Sequence, residues 1–273
     1  MPKPKIVSLP FDSSWVDFND PAGALFKRLK RYADPWYAHF VGSALPKNSC
    51  PVLGVRVAPI RQTVKEILAA GGERFLNAVL YPPKTGRGAK RGSRPSLDYC
   101  EARIAAAFLI GQAKISFDKR LDAVLAFLPL LDSWLLCDTL AGAIKPKASE
   151  TSDLWEFVGL CRTFESEYAR RFALVTTLKR FVDKAHIAAV FDRLEEDAKS
   201  GFKSHTVSMA AAWLLCEAFV KLPDAAIRYL RRNSLDDATF NRAIRKICES
   251  RRVDDVAKEE IAAMKRVKRR PKE

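Results

Sequence analysis

Metal ligands and disulfide partners are the scarcest features of this chain. Its three histidines, His39, His186 and His205, stand far apart, so none shares ligand spacing with another. Its six cysteines, Cys50, Cys100, Cys137, Cys161, Cys216 and Cys248, are as scattered and include no C-x-x-C pair. That spread fits reduced, mostly buried thiols better than a zinc centre or a disulfide framework. The expected chemistry therefore uses neither metal nor cofactor. Long apolar runs are missing too: no stretch of about 20 uninterrupted apolar residues could span a bilayer. The opening residues, MPKPKIVSLPFDSSW, lack the apolar core of a signal peptide. The expectation is a cytoplasmic protein, nucleoid-associated in a prokaryotic cell, with no membrane partner.

Acid is the other shortage. Against 47 Lys plus Arg stand 32 Asp plus Glu, for a formal charge of +15 and a pI near 9.7. Such an excess points to a polyanionic partner. Nucleic acid fits better than an anionic membrane, because no segment joins a basic face to an exposed, strongly apolar one. The hydrophobic fraction of 48% is enough for a substantial core.

What the chain does have is helical periodicity. Residues 1–20, with Pro2, Pro4 and Pro10, read as an extended arm. From 22 to 266 the apolar spacing predicts helices, among them 35–44, 58–70, 72–80, 97–114, 130–144, 165–180, 203–220 and 235–250, with no convincing strand between them. Helices of this length with short joints suggest antiparallel pairs stacked side by side, an all-α HEAT-like solenoid with a concave face; a helical bundle is the alternative. Trp134, Arg171 and Trp213 each fall inside a long predicted helix at separations of 37 and 42 residues. That loosely matches a repeat of roughly 40 to 47 residues, which would bring all three to one surface. The expected organisation is an arm over 1–20, one repeat domain over 21–266 and a basic tail over 267–273, in a monomer.

The stretch from Tyr81 to Leu97, YPPKTGRGAKRGSRPSL, interrupts the helices. Its basic loop, 82–95, holds Lys84, Arg87, Lys90, Arg91 and Arg94 and no acid, and its glycines are not spaced as a phosphate-binding turn before a helix. Such a loop can grip a DNA backbone without reading bases, and the segment KRVKRRPK, Lys265 to Lys272, can do likewise; solvated charge is the alternative reading of both.

The most informative residues are 131–140, LDSWLLCDTL, where Trp134 and Asp138 lie four apart and share a helix face. Lys145 falls on that face by the same phase, while Leu136, Cys137, Leu140 and Ile144 gather about a third of a turn away as a packing stripe. An indole and a carboxylate are thus held off the core beside a cation. A half-buried ring next to a salt-bridging acid is the commoner meaning of such a pair. On a face otherwise suited to phosphates, chemistry on a nucleic acid is the other.

From about 22 to 266 the chain resembles the DNA alkylation repair enzymes of the AlkD-like type, HEAT-like alkylpurine DNA glycosylases. The markers are LGVRVAPIRQTVKEI (Leu53 to Ile67), FLPLLDSWLLCDTL (Phe127 to Leu140), YARRFALV (Tyr168 to Val175), MAAAWLL (Met209 to Leu215) and NRAIRKICESRRV (Asn241 to Val253). The resemblance implies a concave, basic DNA-binding groove. It implies that Asp138 is the catalytic carboxylate, Trp134 and Trp213 the active-site tryptophans and Arg171 the active-site arginine. Leu135 stands where active members often carry an acid.

The implied activity is excision of 3-methyladenine and 7-methylguanine from duplex DNA in base excision repair, without cofactor. Its partner is double-stranded DNA containing alkylated bases; Lys145, by its place on the helix face, and the basic loop, by its charge, are the expected contacts to that DNA. The alternative is a non-catalytic HEAT-like protein that binds damaged or unusual DNA; a protein-interaction scaffold is less in keeping with the charge. Glu217, four residues after Trp213, reads either as a second active-site carboxylate or, more simply, as half of a surface salt bridge.

Overall fold

The computed structural model describes residues 9–81 and 97–266. Among these residues every regular element is a helix, as the apolar spacing predicts. They form two compact units that divide between Thr151 and Ser152.

The first unit is organised around α4 (Cys100–Gln112). Its sequence, CEARIAAAFLIGQ, is apolar on nearly every side, and such a helix belongs inside a core rather than on a surface. Around it pack α1 (Pro21–Lys30), α3 (Val57–Leu80), α5 (Phe117–Phe127) and α6 (Trp134–Ala143). Gly111 sets how closely α4 and α6 approach: a Cβ there would lie 2.5 Å from the carbonyl oxygen of Ala143. Helix α3 bends at Gly71, whose φ of 138° is open to glycine but strained for other residues. The break expected between 58–70 and 72–80 falls at that kink.

Two buried carboxylates tie irregular segments to this core. Glu101, on the first turn of α4, accepts the N–H groups of Leu53, Gly54 and Val55 at 2.9, 2.7 and 3.0 Å, and so holds the chain leading into α3. Glu66 of α3 is fully buried and pairs with Arg28 of α1 through Nη2 at 2.6 Å and Nε at 3.0 Å. The same carboxylate accepts the Trp15 indole N–H at 2.8 Å and the Asp12 amide at 3.2 Å. Residues 9–20, which contain no helix, are anchored through these bonds.

By contrast, α2 (Pro35–Ser43) buries none of its residues despite the sequence PWYAHFVGS. Trp36 and Phe40 stand on it 58% and 59% exposed, stacked with ring centroids 5.7 Å apart.

The second unit opens on α7 (Thr151–Cys161), which begins at the boundary. It continues through α8 (Glu167–Arg180), α9 (Ile187–Lys199), α10 (His205–Lys221), α11 (Pro223–Leu230), α12 (Asp237–Glu249) and α13 (Asp255–Ala263). Alternate helices touch: α8 packs on α10 and α10 on α12, while α11 packs on α10 and α13 on α12. This is the layering of a helical-repeat solenoid, where the second helix of each pair stacks on its equivalent in the next. Small residues permit it in α10, whose Ala210, Ala211 and Ala212 are buried beside Leu214, Leu215 and Phe219.

The cysteines are free, and five are buried, with only Cys248 partly exposed. Burial alone pushes the Cys161 thiol up to about 12, and a hydrogen bond with Cys50 together with burial raises that of Cys100. All but Cys50, which lies in the irregular segment before α3, are thiols on packed helices, as their scatter along the chain suggests.

Candidate functional site

Helix α6 is shorter than the predicted 130–144. Pro129 lies in a single 3-10 turn, Leu128–Leu130, after which Leu131 and Ser133 are extended. The cause is Asp132, whose carboxylate accepts the Cys50 amide at 2.8 Å and Arg103 Nη1 at 2.5 Å. A side chain committed to two distant donors holds residues 131–133 out of the helix. Trp134 therefore opens α6 instead of lying in its interior. At the other end α6 stops at Ala143 and Ile144 is extended, so helical phase does not carry Lys145 onto the Trp134 face; Lys145 is an exposed residue beyond the helix.

Trp134 and Asp138 lie one turn apart on α6, with Trp134 41% exposed and Asp138 half-buried. The expected packing stripe is inside: Leu136, Cys137, Leu140 and Ile144 are fully buried. The Trp134 indole N–H donates to the carbonyl of Ala44, just past α2, at 3.2 Å. One edge of the ring is thereby fixed while much of its surface stays open, the arrangement a stacking or cation-binding surface needs.

In the second unit, Arg171 and Trp213 belong to adjoining helices, and each lies in a helix interior as expected. Arg171 of α8 is buried, and its Nη1 donates to the Thr206 carbonyl in the first turn of α10 at 3.3 Å. Trp213 of α10 is half-buried, and Nζ of Lys179 from α8 sits 5.6 Å from its ring centroid. An ammonium over an indole is drawn by the negative face of the ring. The ring of Trp213 is therefore already placed to hold positive charge.

Glu217 is the salt bridge, not a free carboxylate. Arg252 donates to it through Nη2 at 2.6 Å and Nη1 at 3.2 Å, and Lys221 lies 3.7 Å away. The Arg252 hydrogen bonds hold its carboxyl below the usual range. Lys84, Arg87, Lys90, Arg91 and Arg94 lie outside the described residues, as do residues 267–272 of the basic tail. Among the described residues, no three or more His, Cys, Asp or Glu side chains are gathered as a metal ion would need. No described helix is long and apolar enough to cross a membrane.

Sequence reasoning missed Trp36 and Phe40. The run PWYAHF signalled them, but an aromatic helix is ordinarily read as core. Their exposure became visible only once α2 was seen to bury nothing.

A family model described as DNA alkylation repair enzyme matches residues 96–247, more than half of the chain. The chain belongs to that family. Among curated individual proteins, none matches it. Trp134, Asp138, Lys145, Arg171 and Trp213 all fall inside the family match, whereas α1, α2 and the carboxylate of Glu66 precede it. Membership in a family of DNA alkylation repair enzymes implies DNA as the substrate, in keeping with the charge of +15.

Proposed function

We propose that this protein is an AlkD-like, monofunctional DNA glycosylase that removes purines alkylated at N3 or N7 from duplex DNA. The observation that carries the reading is the pair on α6: an indole and a carboxylate one turn apart, off the core, within the family match. A purine alkylated at N3 or N7 is cationic, so the glycosidic electron pair leaves with the base and neutralises it. The deoxyribose is left as an oxocarbenium-like cation. Strong acid catalysis is unnecessary; what the reaction needs is negative charge near the sugar and a placed water. Asp138 supplies the charge and orients the water that adds to C1′, the water's proton passing to the carboxylate or to solvent. Trp134 and Trp213 favour a cationic nucleotide over a neutral one, by roughly 0.5 to 2 kcal/mol for each well-placed ring. By the family resemblance Arg171 also acts on the damaged nucleotide, and Lys145 contacts the backbone.

The deciding experiment is incubation with methylated duplex DNA and chromatography of the released bases. Free 3-methyladenine or 7-methylguanine is expected, at a rate unchanged by EDTA. Tight DNA binding with neither base released would instead establish the non-catalytic binding protein. Activity lost in EDTA and restored by zinc would overturn the metal-free chemistry.

The basic loop is assigned to the DNA backbone. Replacing Lys84, Arg87, Lys90, Arg91 and Arg94 with neutral residues should weaken binding equally for damaged and undamaged duplexes. It should also flatten the salt dependence, by about 0.9 in the slope of log K against log salt for each phosphate that is no longer neutralised. A slope equal to that of the parent protein would remove the loop from the interface.

A further inference from the structure

A cleft of about 410 Å3 runs along the seam between α10 and α12 in the second unit. His205 and Met209 of α10 face Asn241, Arg242, Arg245 and Lys246 of α12 across it. Three of these are cations, and Glu249 is the one carboxylate among the described residues that line the cleft, 3.4 Å from Lys246 Nζ. Arg245 is exposed and pairs with no carboxylate among the described residues.

Arg242 is held in place rather than free to wander. Its Nη1 donates to Ser208 Oγ at 2.6 Å, and Ser208 in turn is hydrogen-bonded to Thr239 at 2.7 Å in the buried α10–α12 interface. Its Nη2 lies 3.1 Å from Nδ1 of His205. A guanidinium has only donors, so this ring nitrogen must present its lone pair to Arg242. Asn241 is already satisfied, donating to the Arg266 carbonyl at 2.8 Å and accepting its amide at 2.9 Å, so it forms wall rather than ligand.

We propose that this cleft binds a phosphodiester of the DNA backbone, with Arg242 and Arg245 as its ligands and His205 taking up a proton as the phosphate arrives. The proposal rests on the reading of the protein as a DNA enzyme and adds a site that this reading does not contain. His205, Met209 and Trp213 follow one another at intervals of four along α10, which places the cleft on the same helix stripe as Trp213. His205 and Trp213 are about 12 Å apart along the helix axis at 1.5 Å per residue. A backbone lying along α10 would thus run from the indole to the cleft. An open seam suits a polymer, whereas a free anion is better held by an enclosed pocket.

The proton follows from charge. In the free protein an imidazolium would face Arg242, Arg245 and Lys246, offset by Glu249 at the far end and by Asp236, which caps α12 and lies close enough to Arg242 to feel its charge. From α8, Glu167 bonds Ser204, and Arg171 bonds the Thr206 carbonyl, on either side of His205. A phosphate oxygen reverses the balance by accepting from Arg242 and from the protonated ring together.

The test is fluorescence anisotropy of a labelled, undamaged duplex with the full-length protein. Arg245→Gln should lower the salt slope by about 0.9 and weaken binding several-fold, and Arg242→Gln should do the same. Affinity of the parent protein should rise several-fold from about pH 8 to about pH 5.5, the range in which histidine switches charge, and His205→Asn should lose that rise. Inorganic phosphate, added at constant ionic strength, should leave duplex affinity unchanged. A parent-like salt slope in Arg245→Gln overturns the site while leaving the DNA enzyme intact, and an undiminished pH effect in His205→Asn removes the proton. Displacement of the duplex by phosphate would assign the cleft to a free anion. A parent protein that binds no duplex at any salt would overturn the enzyme reading and the site together.

Discussion

Asp138→Asn should release alkylated purines at least about a hundredfold more slowly than the parent protein, the scale on which losing one preorganised electrostatic group acts. The substitution keeps the shape of the side chain and removes its charge, so α6 and its buried stripe of Leu136, Cys137, Leu140 and Ile144 should be untouched. Affinity for undamaged duplex should hold or increase, because a negative charge facing phosphates is gone. The separation of the two effects is the point of the measurement: single-turnover base release and duplex binding are followed on the same preparation, with circular dichroism as the control for fold. Release at the parent rate from a folded variant would remove Asp138 from the chemistry. Glu217 would be a poor replacement, since both of its oxygens are already engaged by Arg252.

Glu66→Leu should destabilise the first unit by about 3 to 5 kcal/mol, the cost of leaving one member of a buried ion pair unmatched. Glu66 and Arg28 have side chains 0% and 3% exposed, so water cannot screen the orphaned guanidinium. The loss also strips partners from the Trp15 indole and the Asp12 amide, which should free residues 9–20 from α3. Urea denaturation gives the energy. Removing both charges in Glu66→Leu/Arg28→Met should recover much of the loss, because a matched apolar pair has no uncompensated charge to bury. A loss under about 1 kcal/mol in the single variant would mean that this pair does not hold the unit together. Because the Glu66 carboxylate is fully buried and committed to Arg28, Trp15 and Asp12, its loss should register in stability.

Several features were legible without coordinates because they depend on neighbours along the chain. The stripe on α6 was readable from spacing alone, since helical phase decides which residues face inward once a helix exists. The kink in α3 was readable because Gly71 and Gly72 are together poor helix formers. Glu217 read as a salt bridge because a glutamate in a strongly basic chain has many cations within reach. Where the reading failed, the missing information was a partner far away in sequence. The start of α6 depends on Asp132 binding Cys50, 82 residues earlier, and no local pattern announces that bond. The position of Lys145 was misjudged for a related reason, because a helix assumed to continue carries its phase into residues that have left it.

An all-α chain with helical-repeat spacing and a large excess of cation was legible in composition and periodicity, because they record which surfaces must be buried and what kind of partner a charge will attract; the family match over residues 96–247 adds its kinship. It was packing in three dimensions that put Trp134 at the start of its helix with one edge tied to Ala44, made Glu66 and Glu101 anchors of segments lacking regular structure, and left the aromatic rings of α2 exposed. It also decided that His205 and Arg242 meet across a cleft. Apart from the bare α2, each of these joins residues 37 to 90 positions apart. Such meetings are set by how helices pack, which depends on the shapes of many side chains at once.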